Sequence, residues 1–261
     1  MITMKRTLLA TLLSCSMPLL GATTSDTLIA NLKKVADGRF ANADIQVIRP
    51  LPAATLAGFY EVSIDGQPLI VHENGVDALI GDLYNLEQMV NLSEQYRLSR
   101  QADHAKKVIA MLAPENFVSY SPNGDKIGTV YVFSDPTCGY CRKLHSELQQ
   151  YLDSQIEVKY IPYPRSGMVE GEQGYELVKQ IMCAADPSAA MDEIKKGSAG
   201  DKYQQANYPQ ACLEVLHRGI VATEAIGLRG TPFIYLSNGS AIPGYQAAAT
   251  IIEMLKSQGV R

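Results

Sequence analysis

The sequence predicts a mixed α/β protein of two unlike parts: a small N-terminal α+β unit over 23–84 and a larger α/β unit over 114–261, joined by a long helix over 85–113. Three observations carry that reading. After one helical stretch, residues 45–80 fall into short β-branched runs separated by turn residues, the pattern of an antiparallel meander. Residues 85–112 read as one helical stretch that stops at Pro114. From residue 128 onward strand-like runs alternate with helical ones, as in a sheet covered by helices.

Ahead of both parts lies a segment with the character of a secretory leader. Lys5-Arg6 precedes an apolar core from Thr7 to Leu20, and Gly21-Ala22 supplies small residues for a cut that removes 1–22. The apolar run is too short for a spanning helix. Leu12-Leu13-Ser14-Cys15 also resembles, weakly, a lipoprotein cleavage site that would leave a lipid on Cys15. The apolar Met17–Leu20 directly after that cysteine fits the second alternative poorly.

In the N-terminal unit, Thr27 to Val35 has helical spacing, with Ser25 or Asp26 available as N-cap. Strands are expected at Ile45–Ile48, Phe59–Ile64 and Pro68–His72, with Asp65-Gly66 as the hairpin turn between the last two. Glu73-Asn74-Gly75 makes another turn before Val76–Ile80. A unit of roughly 60 residues has a marginal core of its own. An exposed sheet edge there could be covered by the same edge of a second copy.

Asn85 opens the long helix, with Gln88 placed as its capping-box partner. Its middle, Ser93 to Lys107, is almost wholly polar, which predicts a solvent-bridging connector. Asp103, His104 and Lys106-Lys107 read as its solvated face.

The chemistry lies in the stretch that follows. Val130–Phe133 is a buried strand, Ser134–Thr137 breaks it with a proline, and Arg142 onward has helical spacing, with Leu144, Leu148 and Tyr151 or Leu152 on one face. This puts Cys138-Gly139-Tyr140-Cys141 on a strand-to-helix turn, with Cys138 at the helix N-terminus. Unpaired N–H groups and the positive end of the helix dipole favour an anion there, so Cys138 is expected to ionise below the free-thiol value of ~8.5. Its thiolate would attack a disulfide, and Cys141, one turn further on, would release the trapped partner. Arg142, beside the sulfurs, is expected to favour the thiolate further. Half a zinc site is the alternative reading of C-x-x-C. It lacks a second ligand pair, since His72, His104, His145 and His217 are scattered, and no metal is expected. A purely structural Cys138–Cys141 disulfide is a further alternative, though so small a ring constrains the unfolded chain little.

Downstream, Ile156–Ile161 alternates as a strand and Pro162–Gly167 turns the chain. Residues 168–226 are helix-rich, at 173–184, 187–196 and 212–226, and read as a helical insertion between two strands. Thr231-Pro232 then precedes the apolar run Phe233–Leu236, Asn238-Gly239 turns into Ser240–Pro243, and Ala247–Lys256 closes the chain as an amphipathic helix.

The residues Phe133-Ser134-Asp135, Thr137 to Cys141 with Lys143-Leu144-His145, Pro164-Arg165, Gly167, Cys183-Ala184, Gly230-Thr231-Pro232, Leu236 to Gly239 and Pro243 to Gln246 resemble the DsbC/DsbG family of periplasmic disulfide isomerases, in the family's order. The Gly139-Tyr140 dipeptide resembles the DsbC branch more than DsbG. Arg142, where that family often has His, is a departure. The resemblance implies a thioredoxin fold for the C-terminal unit, with Thr231 and a cis-Pro232 opposite the cysteines as a substrate-binding loop. It implies a cystatin-like N-terminal domain that pairs two protomers into a homodimer with facing active sites in an apolar cleft. It also implies misfolded exported proteins as clients and a membrane thiol reductase of the DsbD type as electron donor. No cofactor is implied beyond the Cys138–Cys141 dithiol or disulfide itself.

With Cys15 in the leader, four cysteines remain, an even count suited to an oxidising compartment. Of the three pairings, two would disable the C-x-x-C, which leaves Cys183–Cys212 as a structural bridge, in keeping with the resemblance. A net charge of −4 argues against nucleic acid as the main partner. The function expected is therefore a periplasmic disulfide isomerase. The alternatives are a DsbG-like thiol reductase or oxidase and a holdase chaperone whose cleft matters more than its sulfurs.

Overall fold

The computed structural model describes residues 24–51, 56–64 and 67–257. The predicted leader over 1–22 with its Cys15, and the Asp65-Gly66 turn, lie outside the described residues. The chain divides into two compact units between Gly81 and Asp82, rather than after 84.

The first unit is one helix on a meander. Helix α1 (Thr24–Leu32) starts three residues earlier than the spacing predicts, so Ser25 and Asp26 lie in its first turn rather than before it. Asp26 there still complements the N-terminal dipole. Strands β1 (Ile45–Pro50), β2 (Phe59–Ile64), β3 (Gln67–His72) and β4 (Ala78–Leu79) pair antiparallel in that order. Leu28 and Leu32 of α1 close the core over Ile45, Val62, Ile64 and Val71. Pro50 is tolerated because β1 is an edge strand. The turn at Asn74-Gly75 needs glycine for two reasons. Its φ is +72°, and a Cβ would lie 2.5 Å from the Asn31 Cβ of α1.

The second unit opens with a short hairpin, β5 (Tyr84–Asn85) and β6 (Val90–Asn91), and the long helix α2 begins only at Leu92 and runs to Met111. This corrects the predicted start at Asn85. The Asn85 side chain does accept an N–H three residues on, from Gln88 at 2.9 Å, but the bond closes a turn of the hairpin. Asn91 caps the helix instead, accepting from the Glu94 N–H at 2.9 Å. Leu83 also bonds Ser93, which ties the hairpin to the helix and moves the unit boundary forward.

The helix is also no free-standing connector. Gln101, Ala105 and Val108 are buried, and Leu98, Ala102, Ile109 and Leu112 pack with Ala105 and Val108 against Phe133, Ile161, Phe233 and Tyr235. These positions recur every three or four residues, but several are alanine or glutamine, so the apolar stripe is narrow and the stretch reads as polar.

The sheet behind the site has the order β11-β10-β8-β9-β7, from β7 (Val118–Tyr120), β8 (Gly128–Ser134), β9 (Ile156–Pro162), β10 (Phe233–Leu236) and β11 (Ala241–Pro243). Strands β8 and β9 are parallel and buried on both faces, consistent with their continuous apolar runs. Between β8 and β9 come α3 (Gly139–Ser146) and α4 (Leu148–Asp153). The spacing predicts one helix here, yet it breaks at Glu147. That carboxylate is engaged by Tyr245 Oη at 2.6 Å, by the Ala248 N–H at 2.9 Å and by Lys143 at 2.8 Å. Helices α5 (Gln173–Met182), α6 (Pro187–Lys196) and α7 (Gln210–Glu224) form the block between β9 and β10, and α8 (Ala248–Ser257) closes the unit.

Candidate functional site

Strand β8 ends at Ser134, and the chain makes a tight turn held by one carboxylate. Asp135 Oδ1 accepts from the Thr137 N–H at 2.7 Å and its hydroxyl at 2.6 Å, while Oδ2 accepts from the Arg165 N–H at 2.9 Å and its Nε at 3.2 Å. Burial alone would raise the Asp135 pKa. The bonds from Thr137 and Arg165 outweigh it and hold the carboxyl below its usual range. The turn delivers Cys138 as the N-cap of α3, with its N–H bonded to the Asp135 carbonyl at 3.1 Å.

Cys138 and Cys141 are free thiols, and both are buried. The Cys138 thiol donates to the Thr231 carbonyl at 3.2 Å, and the Thr231-Pro232 peptide that follows is cis. The fold thus joins two segments 93 positions apart at one sulfur. Burial would raise the Cys138 pKa. The net direction is nevertheless down, because the Thr231 side chain, the N–H and thiol of Cys141 and the N–H of Tyr140 are placed to bond the thiolate once it forms. The buried Thr231 hydroxyl makes no hydrogen bond among the described residues, which leaves it available to the sulfur once the thiol ionises. The helix N-terminus therefore acts as expected; Arg142 is exposed and bonds the Thr137 carbonyl at 3.3 Å, and the leading causes of the shift are the groups just named.

Cys141 is the opposite case. Burial pushes its thiol up, against the pull of the Lys195 charge and a bond from Ser134. Gly139 and Tyr140 separate the sulfurs. A Cβ on Gly139 would meet nothing within 4 Å, and Tyr140 is 65% exposed, so the approach to Cys138 is open on this side. The Tyr140 ring stacks on Tyr245 at 6.0 Å.

A second cluster lies beneath the helix. His145 Nδ1 is 3.0 Å from Tyr160 Oη, and its Nε2 is 3.0 Å from Asp192 Oδ1, which also accepts from Tyr120 Oη at 2.8 Å. The network assigns the neutral ring with Nε2–H donating to Asp192 and the Tyr160 hydroxyl donating to Nδ1. Burial, reinforced by the Lys195 charge, lowers the His145 pKa to about 4.

The structure brings Cys138, Gly139, Tyr140, Cys141, Thr231 and Pro232 together. Cys183, at the end of α5, and Cys212, in the first turn of α7, are joined by a disulfide and bond neither free thiol. No group of His, Cys, Asp and Glu among the described residues could hold a metal. Sequence reasoning missed Lys195, Asp192 and the Thr231 hydroxyl. Lys195 carried a usable signal, since it stands four residues after Met191 on the inner face of α6.

Residues 113–259 match the family model described as a thioredoxin-like domain. The thiol:disulfide interchange protein DsbC of Salmonella typhimurium is 31% identical over 198 residues, covering 75% of this chain and 76% of the relative. DsbC of Escherichia coli is 28% identical over 210 residues, covering 80% of each. Among solved structures, a linker-deletion variant of Proteus mirabilis ScsC superposes with a TM-score of 0.50 at 16% identity, over 64% of this chain and 86% of that one, a likeness of fold.

Proposed function

The chain belongs to the DsbC family of thiol:disulfide interchange proteins, within the thioredoxin-like group, and from that membership we propose that it is a protein disulfide isomerase acting on non-native disulfides of exported proteins. The observation that carries the reading is the placement of the Cys138 sulfur, an N-cap thiol whose anion is favoured, 3.2 Å from the Thr231 carbonyl. Cys138 thiolate attacks one sulfur of the client disulfide, the S–S bond breaks, and the other client sulfur leaves as thiolate. The freed client thiolate then attacks elsewhere in the client and reshuffles it. If reshuffling stalls, Cys141 attacks Cys138 and the client leaves reduced, with Cys138 and Cys141 joined. The Thr231-Pro232 loop offers backbone to the client chain, and Gly139 leaves the approach open.

Return of the oxidised pair to the dithiol needs an external donor, for which we propose a membrane thiol reductase of the DsbD type. The compartment proposed is the periplasm, reached through the leader over 1–22 and consistent with the Cys183–Cys212 disulfide. Among the described residues no helix is long and apolar enough to cross a membrane. The N-terminal unit is proposed to pair two copies. Its edge strand β4 and flanks carry Val76 and Ile80, 70% and 89% exposed, which suit burial against the same edge of a partner.

Reactivation of scrambled, fully oxidised ribonuclease in a glutathione buffer tests the proposal. Recovery that disappears in Cys138→Ala supports the isomerase. Retained thiol oxidation or sulfenic-acid reduction without recovery points to the DsbG-like alternative. Aggregation suppression that survives loss of both cysteines, without recovery in the wild type, points to a holdase.

A further inference from the structure

Lys195 is the most unusual residue in the second unit. It is 5% exposed, its side chain runs among Ile161, Val178, Ile181 and Met191, and it makes no ion pair with a carboxylate among the described residues. Its Nζ donates to Ser134 Oγ at 2.8 Å and lies 5.1 Å from the centre of the Tyr160 ring. Ser134 Oγ is also placed so that its hydroxyl favours the thiolate of Cys141. One hydroxyl, fixed at the end of β8, is therefore bonded to the lysine of the helical block and acts on the thiol of the active-site helix.

An ammonium held in apolar surroundings without a carboxylate is costly, and the usual outcome is a lysine that gives up its proton easily. The charged and titratable groups that face Lys195 are Cys138, Cys141, Arg142 and His145 from the active-site turn and helix, Asp135 from the preceding loop, Tyr160 from β9 and Asp192 from its own helix. The two thiols and Asp135 favour its charge, but burial outweighs them.

We propose that Lys195 is a positioning residue for the release step, taking the proton of Cys141 through Ser134 so that Cys141 can attack the mixed disulfide on Cys138. This rests on the reading of Cys138 as nucleophile and Cys141 as resolver. Neutral Lys195 accepts the Ser134 hydroxyl proton as Ser134 accepts the proton of Cys141. The products are an ammonium, an unchanged hydroxyl and a Cys141 thiolate. That thiolate attacks Cys138 Sγ, the bond from Cys138 to the client sulfur breaks, and the client sulfur leaves with the electron pair. Cys138 and Cys141 are oxidised to the disulfide and the client disulfide is reduced, with the Cys141 proton left on Lys195. Burial lowers the Lys195 pKa to about 8, so about a tenth of the molecules carry the neutral amine at pH 7.

The test follows the reduced full chain reacting with a symmetric peptide disulfide whose two halves quench each other's fluorophores. The first half-peptide leaves when Cys138 attacks, the second when Cys141 resolves, so the ratio of the two rates isolates release. In the wild type the release rate is expected to rise with pH and level off above about 8. In Lys195→Met the release-to-attack ratio at pH 8 should fall at least tenfold, and the inflection should move up toward the raised value of the Cys141 thiol itself. Lys195→Arg keeps a cation but accepts no proton, so it should behave like Lys195→Met. Ser134→Ala cuts the path with the lysine in place and should give the same shift, which decides the matter if Lys195→Met fails to fold. An unchanged inflection in Ser134→Ala or Lys195→Met, or a wild-type ratio in Lys195→Arg, overturns the proposal. A second phase that persists in Cys141→Ser overturns the underlying assignment of Cys141, and the relay with it.

Discussion

Removal of the Cys183–Cys212 bridge should destabilise the second unit by an amount that can be worked out from its loop. The two residues are 29 apart, and opening a loop of that size returns to the unfolded chain an entropy worth about 3.6 kcal/mol at 25 °C. That is a factor of about 400 in the folded-to-unfolded ratio and a fall in Tm of about 7–14 °C for a unit of this size. The loop includes α6, which carries Lys195 and Asp192, so loosening it should also speed amide exchange across Pro187–Lys196. The comparison is Cys183→Ala/Cys212→Ala against the bridged protein, both with Cys138→Ala/Cys141→Ala so that no thiol can reshuffle. Urea titration and calorimetry give the stability, followed by tyrosine fluorescence because the chain has no Trp. A loss below about 1 kcal/mol would refute the reasoning, because the unfolded chain would then already be held compact without the bridge. A loss near the expected value with unchanged exchange in α6 would refute the link to the site.

Thr231→Val removes the hydroxyl placed to bond the Cys138 thiolate while keeping the carbonyl, and a hydrogen bond to a charged group of ~1.5 kcal/mol corresponds to about a tenfold change in the thiolate-to-thiol ratio. Iodoacetamide alkylation of Cys138 against pH should have a midpoint below ~8.5 in the wild type and a higher one in the variant; equal midpoints would exclude the hydroxyl. His145 gives a pH dependence of stability with a definite sign. Its pKa is lowered to about 4 from 6.5, so between those values the unfolded chain binds the extra proton. Stability is complete above about 6.5 and falls by at most about 3 kcal/mol as the pH drops toward 4, and His145→Gln should flatten that part of the urea-stability profile.

How legible each element was depended on how local its cause is. Strand β8, its proline break and the C-x-x-C turn are set by neighbours in sequence, and their placement follows from the order of residue types alone. The Thr231-Pro232 pair could be found because proline before an apolar run marks a strand start, although its meeting with Cys138 is a property of the fold. Neither the start nor the burial of helix α2 is legible in the sequence. Asn85 and Asn91 each accept an N–H three residues on, and only pairing of β5 with β6 tells the turn from the cap. The break at Glu147 had no local signal at all, since glutamate is a good helix former. Its partners, Tyr245 and Ala248, lie 98 and 101 positions away. Lys195 beside Lys196 looks like the basic last turn of an exposed helix, and register alone turns the first of them inward.

The stacked rings of Tyr140 and Tyr245 bear on how this protein could be re-engineered. The dipeptide between active-site cysteines is the obvious place to retune a redox enzyme, and it is usually varied as if it were an independent dial. Here its second residue rests on Tyr245, whose hydroxyl bonds the same Glu147 that ends the active-site helix and receives the Ala248 N–H at the start of the last one. Replacing Tyr140 therefore removes a ring from the support of that junction as well as changing the surroundings of the sulfurs. A library that varies residues 139 and 140 alone would mix the two effects, whereas one that varies 140 and 245 together would separate them.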